Sequence, residues 1–176
     1  MKKHILCGSA AIVLTGLTAA MFSAAATQTR EQVPQPASIA SAAPVADVAA
    51  LQRGRYLVRT SGCNDCHTPG YAASAGGVAE SLWLTGDSTG WQGPWGTTYP
   101  INLRLFMQSV TAEQWLVVAR QPARPPMPWF ALRDMTDQDL LALYHYVRSL
   151  GPAGEHAPPY SPPGEPTQNP VIRIPG

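Results

Sequence analysis

The sequence predicts a small all-α domain. Three stretches place apolar residues at helical spacing and open on residues suited to cap a helix, with no alternation of strand and helix signals between them. The 18 prolines cluster outside these stretches and mark extended connections. A length of 176 residues suits one core of ordinary size. Charged residues make up 13% of the chain against 45% apolar, about half the ~25% charge usual in soluble domains, which excludes a charge-driven disordered chain. A net charge of +1 gives no concentrated basic field, so nucleic acid is not an expected partner.

Lys2 and Lys3 precede an uncharged run from Ile5 to Ala26 that closes on Ala24-Ala25-Ala26, the layout of a secretory signal peptide over residues 1–26. The alternative is an uncleaved anchor, because such a run just reaches across a bilayer core of ~30 Å. Its Ala, Gly, Ser and Thr content makes it a weak spanning helix, so contact with a membrane is expected only if the segment is retained. Cleavage would place the protein in the periplasm and remove both lysines and Cys7. Ten arginines would then face eleven acidic residues, with Cys63 and Cys66 the remaining cysteines. Two cysteines so close cannot build a disulfide framework. Residues 27–46, rich in Ala, Pro, Ser and Gln without apolar periodicity, read as a flexible tether.

The first helix is expected from about Asp47 to Thr60. Asp47 suits its cap, Val48, Leu51 and Val58 share a face, and Gly54 leaves room for another helix to approach. The second begins at Thr111, where Thr111 and Gln114 match a capping box and Val110 can staple to Trp115; it ends before Pro122. The third runs from Thr136 to Leu150, with Leu140, Leu143, Val147 and Leu150 at helical spacing and Gly151-Pro152 as its stop. These bounds give a domain over residues 47–151. Residues 152–176 form a proline-rich, extended tail, draped along the domain or free to meet a partner, with Val171, Ile172 and Ile174 able to dock.

The chemistry lies in Cys63-Asn64-Asp65-Cys66-His67, the C-x-x-C-H signature of covalent haem c attachment. Each thiol adds to one porphyrin vinyl group, and the adjacent histidine is thereby brought beneath the iron. A structural zinc site would need further ligands, and no second cysteine pair or close histidine pair is present. A thioredoxin-like dithiol would sit in a βαβ context, which is not visible. One motif and no internal repeat predict one haem.

The sixth iron position decides between electron transfer, gas binding and catalysis. Met127 is the candidate, in Gln121-Pro122-Ala123-Arg124-Pro125-Pro126-Met127-Pro128-Trp129-Phe130, a stiff loop expected to form neither helix nor strand. Met135 reads instead as a staple to Leu140 across the Thr136 cap, and Met107 as core or pocket wall. His145 and His156 read as solvated. Arg120, Arg124 and Arg133 bracket the loop, as surface charge, a rim for an acidic partner, or propionate partners.

Gly54-Arg55-Tyr56-Leu57, Met127-Pro128-Trp129 and Asp139-Leu140-x-Ala142-Leu143-Tyr144-x-Tyr146-Val147-Arg148-Ser149-Leu150 resemble class I cytochrome c domains. The arrangement is more closely similar to single-haem modules in cytochrome subunits of bacterial membrane-associated dehydrogenases, and the resemblance covers about Val48 to Leu150. It implies a small cytochrome c fold whose first and last helices cross near Gly54 and the tyrosines around the haem. Tyr144 and Tyr146 would be core or pocket residues and His145 would point outward. The segment from Gly90 to Asn102 resembles those subunits too, and suggests Trp95, Tyr99 and Asn102 as cofactor-binding residues near the propionates. Packing of an aromatic loop over the pocket is the plainer reading of each. Pro100 or Pro94 is expected to offer the carbonyl that orients the His67 ring. After Asn102 the sequence departs from those subunits, leading from Leu103 to Ser109 directly into the next helix cap.

The resulting expectation is a periplasmic mono-haem electron carrier rather than an enzyme, with His67 and Met127 on the iron. It would pass single electrons from an oxidoreductase such as a dehydrogenase toward another cytochrome or a terminal oxidase. The alternative is a haem sensor or haem enzyme with an open or labile sixth position, although the proline loop holds no histidine or acid suited to distal acid–base work. With no lysine outside the signal, the protein cannot use a lysine-ringed docking surface like that of mitochondrial cytochrome c.

Overall fold

The computed structural model describes residues 47–175; the expected signal and tether lie outside them. Helix α1 (Val48–Thr60) starts where Asp47 accepts from the Ala49 N–H, and α2 (Cys63–His67) follows through Gly62, whose φ of 74° a side-chain-bearing residue rarely adopts. A 3₁₀ turn (Glu80–Leu82) leads to the strands β1 (Gly90–Gly93) and β2 (Gly96–Thr98). Then come α3 (Leu103–Ser109), α4 (Ala112–Ala119), α5 (Trp129–Arg133), α6 (Asp137–Ser149) and β3 (Val171–Arg173).

The capping box of Thr111 and Gln114 forms in both directions, and Thr136 accepts from the Asp139 N–H to open α6. Helix α1 lies against α6, and a Cβ at Gly54 would overlap the Ala142 carbonyl and the Tyr146 Cβ. Leu57, Val58, Met107, Trp115, Leu140 and Val147 fill the core around this contact. Tyr144 and Tyr146 are buried as well, their hydroxyls donating to the Val110 carbonyl (2.9 Å) and the Glu80 carboxylate (2.6 Å). His145 is half-buried beside Tyr144, and His156 is exposed.

Four expectations are corrected. The described chain is mostly helical but not all-α: β1 pairs antiparallel with β2 and parallel with β3 in a small sheet ordered β2-β1-β3. Leu103–Ser109 is a helix, capped by the Asn102 side chain accepting from Leu105 N–H, with Met107 buried beneath it. Helix α5 begins inside the proline loop because the restriction ends at Pro128, which occupies the flanking position where a proline costs no helical hydrogen bond. Val48 is 64% exposed and so is not part of the buried face of α1.

The tail is draped along the domain. Asn102 donates to the carbonyls of Ala153 (2.8 Å) and Glu155 (3.1 Å), Ser161 and Thr97 exchange backbone hydrogen bonds, and Ile174 N–H reaches the Gln92 carbonyl at 2.8 Å. Arg104, 5% exposed, extends its guanidinium to the carbonyls of Ser81, Leu150 and Gly151, and so caps the C-terminal end of α6 with a cation. Among the described residues no helix is long and apolar enough to cross a membrane.

Candidate cofactor site

His67 closes the short helix α2 and is 8% exposed. Its backbone carbonyl accepts from Gly86 N–H (2.8 Å), and its Nδ1 lies 2.8 Å from the Ile101 carbonyl oxygen. With Nδ1 donating there, the lone pair on Nε2 is left for a metal, the arrangement metal-bound histidines use. The orienting carbonyl is thus that of Ile101, not Pro100 or Pro94. Burial holds the His67 imidazole below its ordinary pKa, with the Ile101 bond opposing, so the neutral form that can ligate is favoured.

The segment that supplies this carbonyl is itself braced. Asp87 N–H donates to the Pro100 carbonyl, and Gly86, with φ of 78°, lies so close that a Cβ would come within 2.7 Å of the Asn102 nitrogen. Thr68 fixes the other side of α2: its hydroxyl donates to Asn64 and accepts from Leu84 N–H at 2.7 Å. Neither Thr68 nor Ile101 carries a signal at the sequence level, since one acts through a common hydroxyl and the other through its backbone.

Cys63 and Cys66 are unpaired thiols, both half-buried, on the same turn as His67. Burial pushes the Cys63 thiol up to about 11, and raises that of Cys66 with Asp65 and Asp87 adding to the shift. A redox-active dithiol needs the opposite, a depressed pKa at a helix start. Among the described residues no group of three or more His, Cys, Asp or Glu is placed to hold a metal ion.

Met127 is half-buried at the end of a turn in which its N–H donates to the Arg124 carbonyl at 3.3 Å. The turn is tied to β2, where the Thr98 hydroxyl donates to the Pro125 carbonyl at 2.7 Å. Trp95 lies over Gly93, and its buried indole N–H has no acceptor among the described residues. A carboxylate brought in by a cofactor would satisfy it, since a buried orphan donor is otherwise costly. Tyr99 instead shares a hydrogen bond with Thr167 in the tail, and both amide hydrogens of Asn102 are directed at tail carbonyls. Arg120 pairs with Asp137 and Arg133 with Asp134, so neither adds an unpaired charge to a rim; Arg124 lies over the Tyr160 ring. The residues present therefore fit a covalently held haem: two thiols and one oriented imidazole on a single turn, with an unpartnered donor in the hairpin.

A family model described as Cytochrome c matches residues 51–151, more than half of the sequence. The chain belongs to the cytochrome c family. It is accordingly a haem-binding, electron-transfer protein, and Cys63 and Cys66 are the pair present for covalent attachment. The cytochrome is 29% identical over 160 residues, 81% of its length, to a subunit of the nicotinate dehydrogenase of Pseudomonas putida, and spans 12% of that protein. No solved structure gives a significant match.

Proposed function

We propose that the cytochrome holds one haem through Cys63 and Cys66, with His67 and Met127 as axial ligands. It passes single electrons in the periplasm from a dehydrogenase toward another cytochrome or a terminal oxidase. The observation that carries the reading is the stretch from Thr98 to Ile101. One end ties to the methionine turn and the other orients His67, three residues apart and so at most about 10 Å along the chain. His67 and Met127 would be the residues that hold the iron of a haem bound there.

A bound haem would supply a one-electron iron couple, and with both His67 and Met127 holding the iron no position would be left for a substrate. The protein supplies the rest. The two cysteines fix the ring, Ile101 holds the imidazole plane, Trp95 offers its N–H to a propionate, and the prolines around Met127 limit the loop's freedom. The likeness to a nicotinate dehydrogenase subunit supports a dehydrogenase as donor, and the signal-like residues 1–26 support export.

The test is a redox titration of purified holoprotein alongside a haem assay. One haem per chain, surviving denaturation and lost on replacing Cys63 and Cys66 with Ser, with a single one-electron transition that moves to lower potential in Met127→Ala, is the expected result. Two haems, or a potential indifferent to Met127, would contradict it.

A further inference from the structure

The family match ends at residue 151, yet the segment beyond it is stitched to the domain along its length. We infer that this tail and the β1–β2 hairpin form a clamp that positions Met127 for the iron, with Tyr160 and Thr98 as its positioning residues. The inference rests on the His67/Met127 ligation proposed above.

The methionine turn has little hold of its own. Residues 121–126 are exposed, and only Met127 is half-buried. An exposed loop with few buried contacts opens locally at low cost, and a thioether carried on it would leave the iron whenever it opened. Two contacts oppose this. The Thr98 hydroxyl donates to the Pro125 carbonyl at 2.7 Å, and the Arg124 guanidinium lies 4.1 Å from the centre of the Tyr160 ring. Both fall on the turn that Met127 closes.

Tyr160 is itself fixed. Its hydroxyl donates to the Trp95 carbonyl at 2.8 Å, and the neighbouring Ser161 exchanges backbone hydrogen bonds with Thr97 in both directions. That pairing requires Gly96, where φ is 98° and a Cβ would overlap the Ser161 carbonyl. Further along, β3 pairs with β1, so the ring cannot drift away without undoing the sheet edge. The tail thus transmits the rigidity of the hairpin to the ligand loop through a second contact in addition to the Thr98 bond.

The experiment uses full-length holoprotein and reads carbon monoxide binding to the reduced form, together with the weak red absorption band of a methionine–ferric haem bond. Tyr160→Ala is expected to accelerate carbon monoxide binding about tenfold, the equivalent of ~1.4 kcal/mol in loop opening, and to weaken the band. Tyr160→Phe, which keeps the ring under Arg124 but loses the bond to the Trp95 carbonyl, should fall between wild type and Tyr160→Ala, and the rates should rise at temperatures well below each variant's thermal midpoint, where a general loss of stability would leave them unchanged. Thr98→Val should also accelerate binding, and it decides the matter if Tyr160→Ala does not assemble with haem. Wild-type rates and band in folded Tyr160→Ala and Thr98→Val would overturn the clamp. If wild type and Met127→Ala bind carbon monoxide alike and both lack the band, the ligation reading fails first and the clamp falls with it.

Discussion

At the residue scale, Glu80 shows how a few polar atoms join distant parts of the chain. It accepts both a two-oxygen bond from Arg55 on α1 and the Tyr146 hydroxyl from α6. The Arg55 bond, with Tyr146 assisting against partial burial, holds its carboxyl below the ordinary value of 4.5. Burial first, and Glu80 second, push the Tyr146 phenol far up in turn. A carboxylate with a depressed folded pKa contributes stability that is complete above its unfolded pKa and is lost as pH falls through the folded one. Wild type should therefore lose thermal stability more steeply than Glu80→Gln as pH is lowered from about 5. Parallel acid profiles for the two would remove Glu80 from the account. The site is legible at this scale only where identity and spacing carry the information. Cys63, Cys66 and His67 are read directly, whereas the Ile101 carbonyl that aims His67 is a backbone atom any residue could supply. Asn102, suggested by the Pro-x-Asn step, stands beside that carbonyl with its side chain committed to the α3 cap and the tail.

At the element scale, helix starts were readable because a cap is a local contract. Asp47, Thr111 with Gln114, and Thr136 each bond a donor two or three residues away. The sheet was not readable, since its strands are three or four residues long, two of the three contain glycine, and Gly90 pairs with Val171 across most of the domain. Gly54, by contrast, announced a close approach, and α6 supplies it through Ala142 and Tyr146. Because backbone stands in the way, Gly54→Ala cannot be absorbed by a rotamer change, and overpacking of this kind costs ~1–3 kcal/mol. A thermal melt of the holoprotein should show the loss as a lower midpoint; an unchanged or raised midpoint would mean that α1 and α6 can move apart freely. Arg104 belongs to this scale too, a cation read as part of a connecting segment that in the fold closes the end of α6.

At the scale of the whole molecule, the chain is a cytochrome domain with an added strap, and the added part reaches the ligand loop. Charge contributes little direction: most arginines near the methionine turn are matched by a neighbouring acid, as in Arg120 with Asp137 and Arg133 with Asp134. Val117, Val118 and Phe130, on the helices that precede and follow the turn in the chain, are exposed.

The most direct test of the central claim is the absorption spectrum of the oxidised and reduced holoprotein, with and without carbon monoxide, for wild type and Met127→Ala. A red band in oxidised wild type that disappears in the variant, together with carbon monoxide binding that is slight before the substitution and ready after it, is the result expected of His67/Met127 ligation and electron transfer. Ready carbon monoxide binding by wild type, unchanged in Met127→Ala, would contradict that claim and make the protein a haem sensor or enzyme with an open iron.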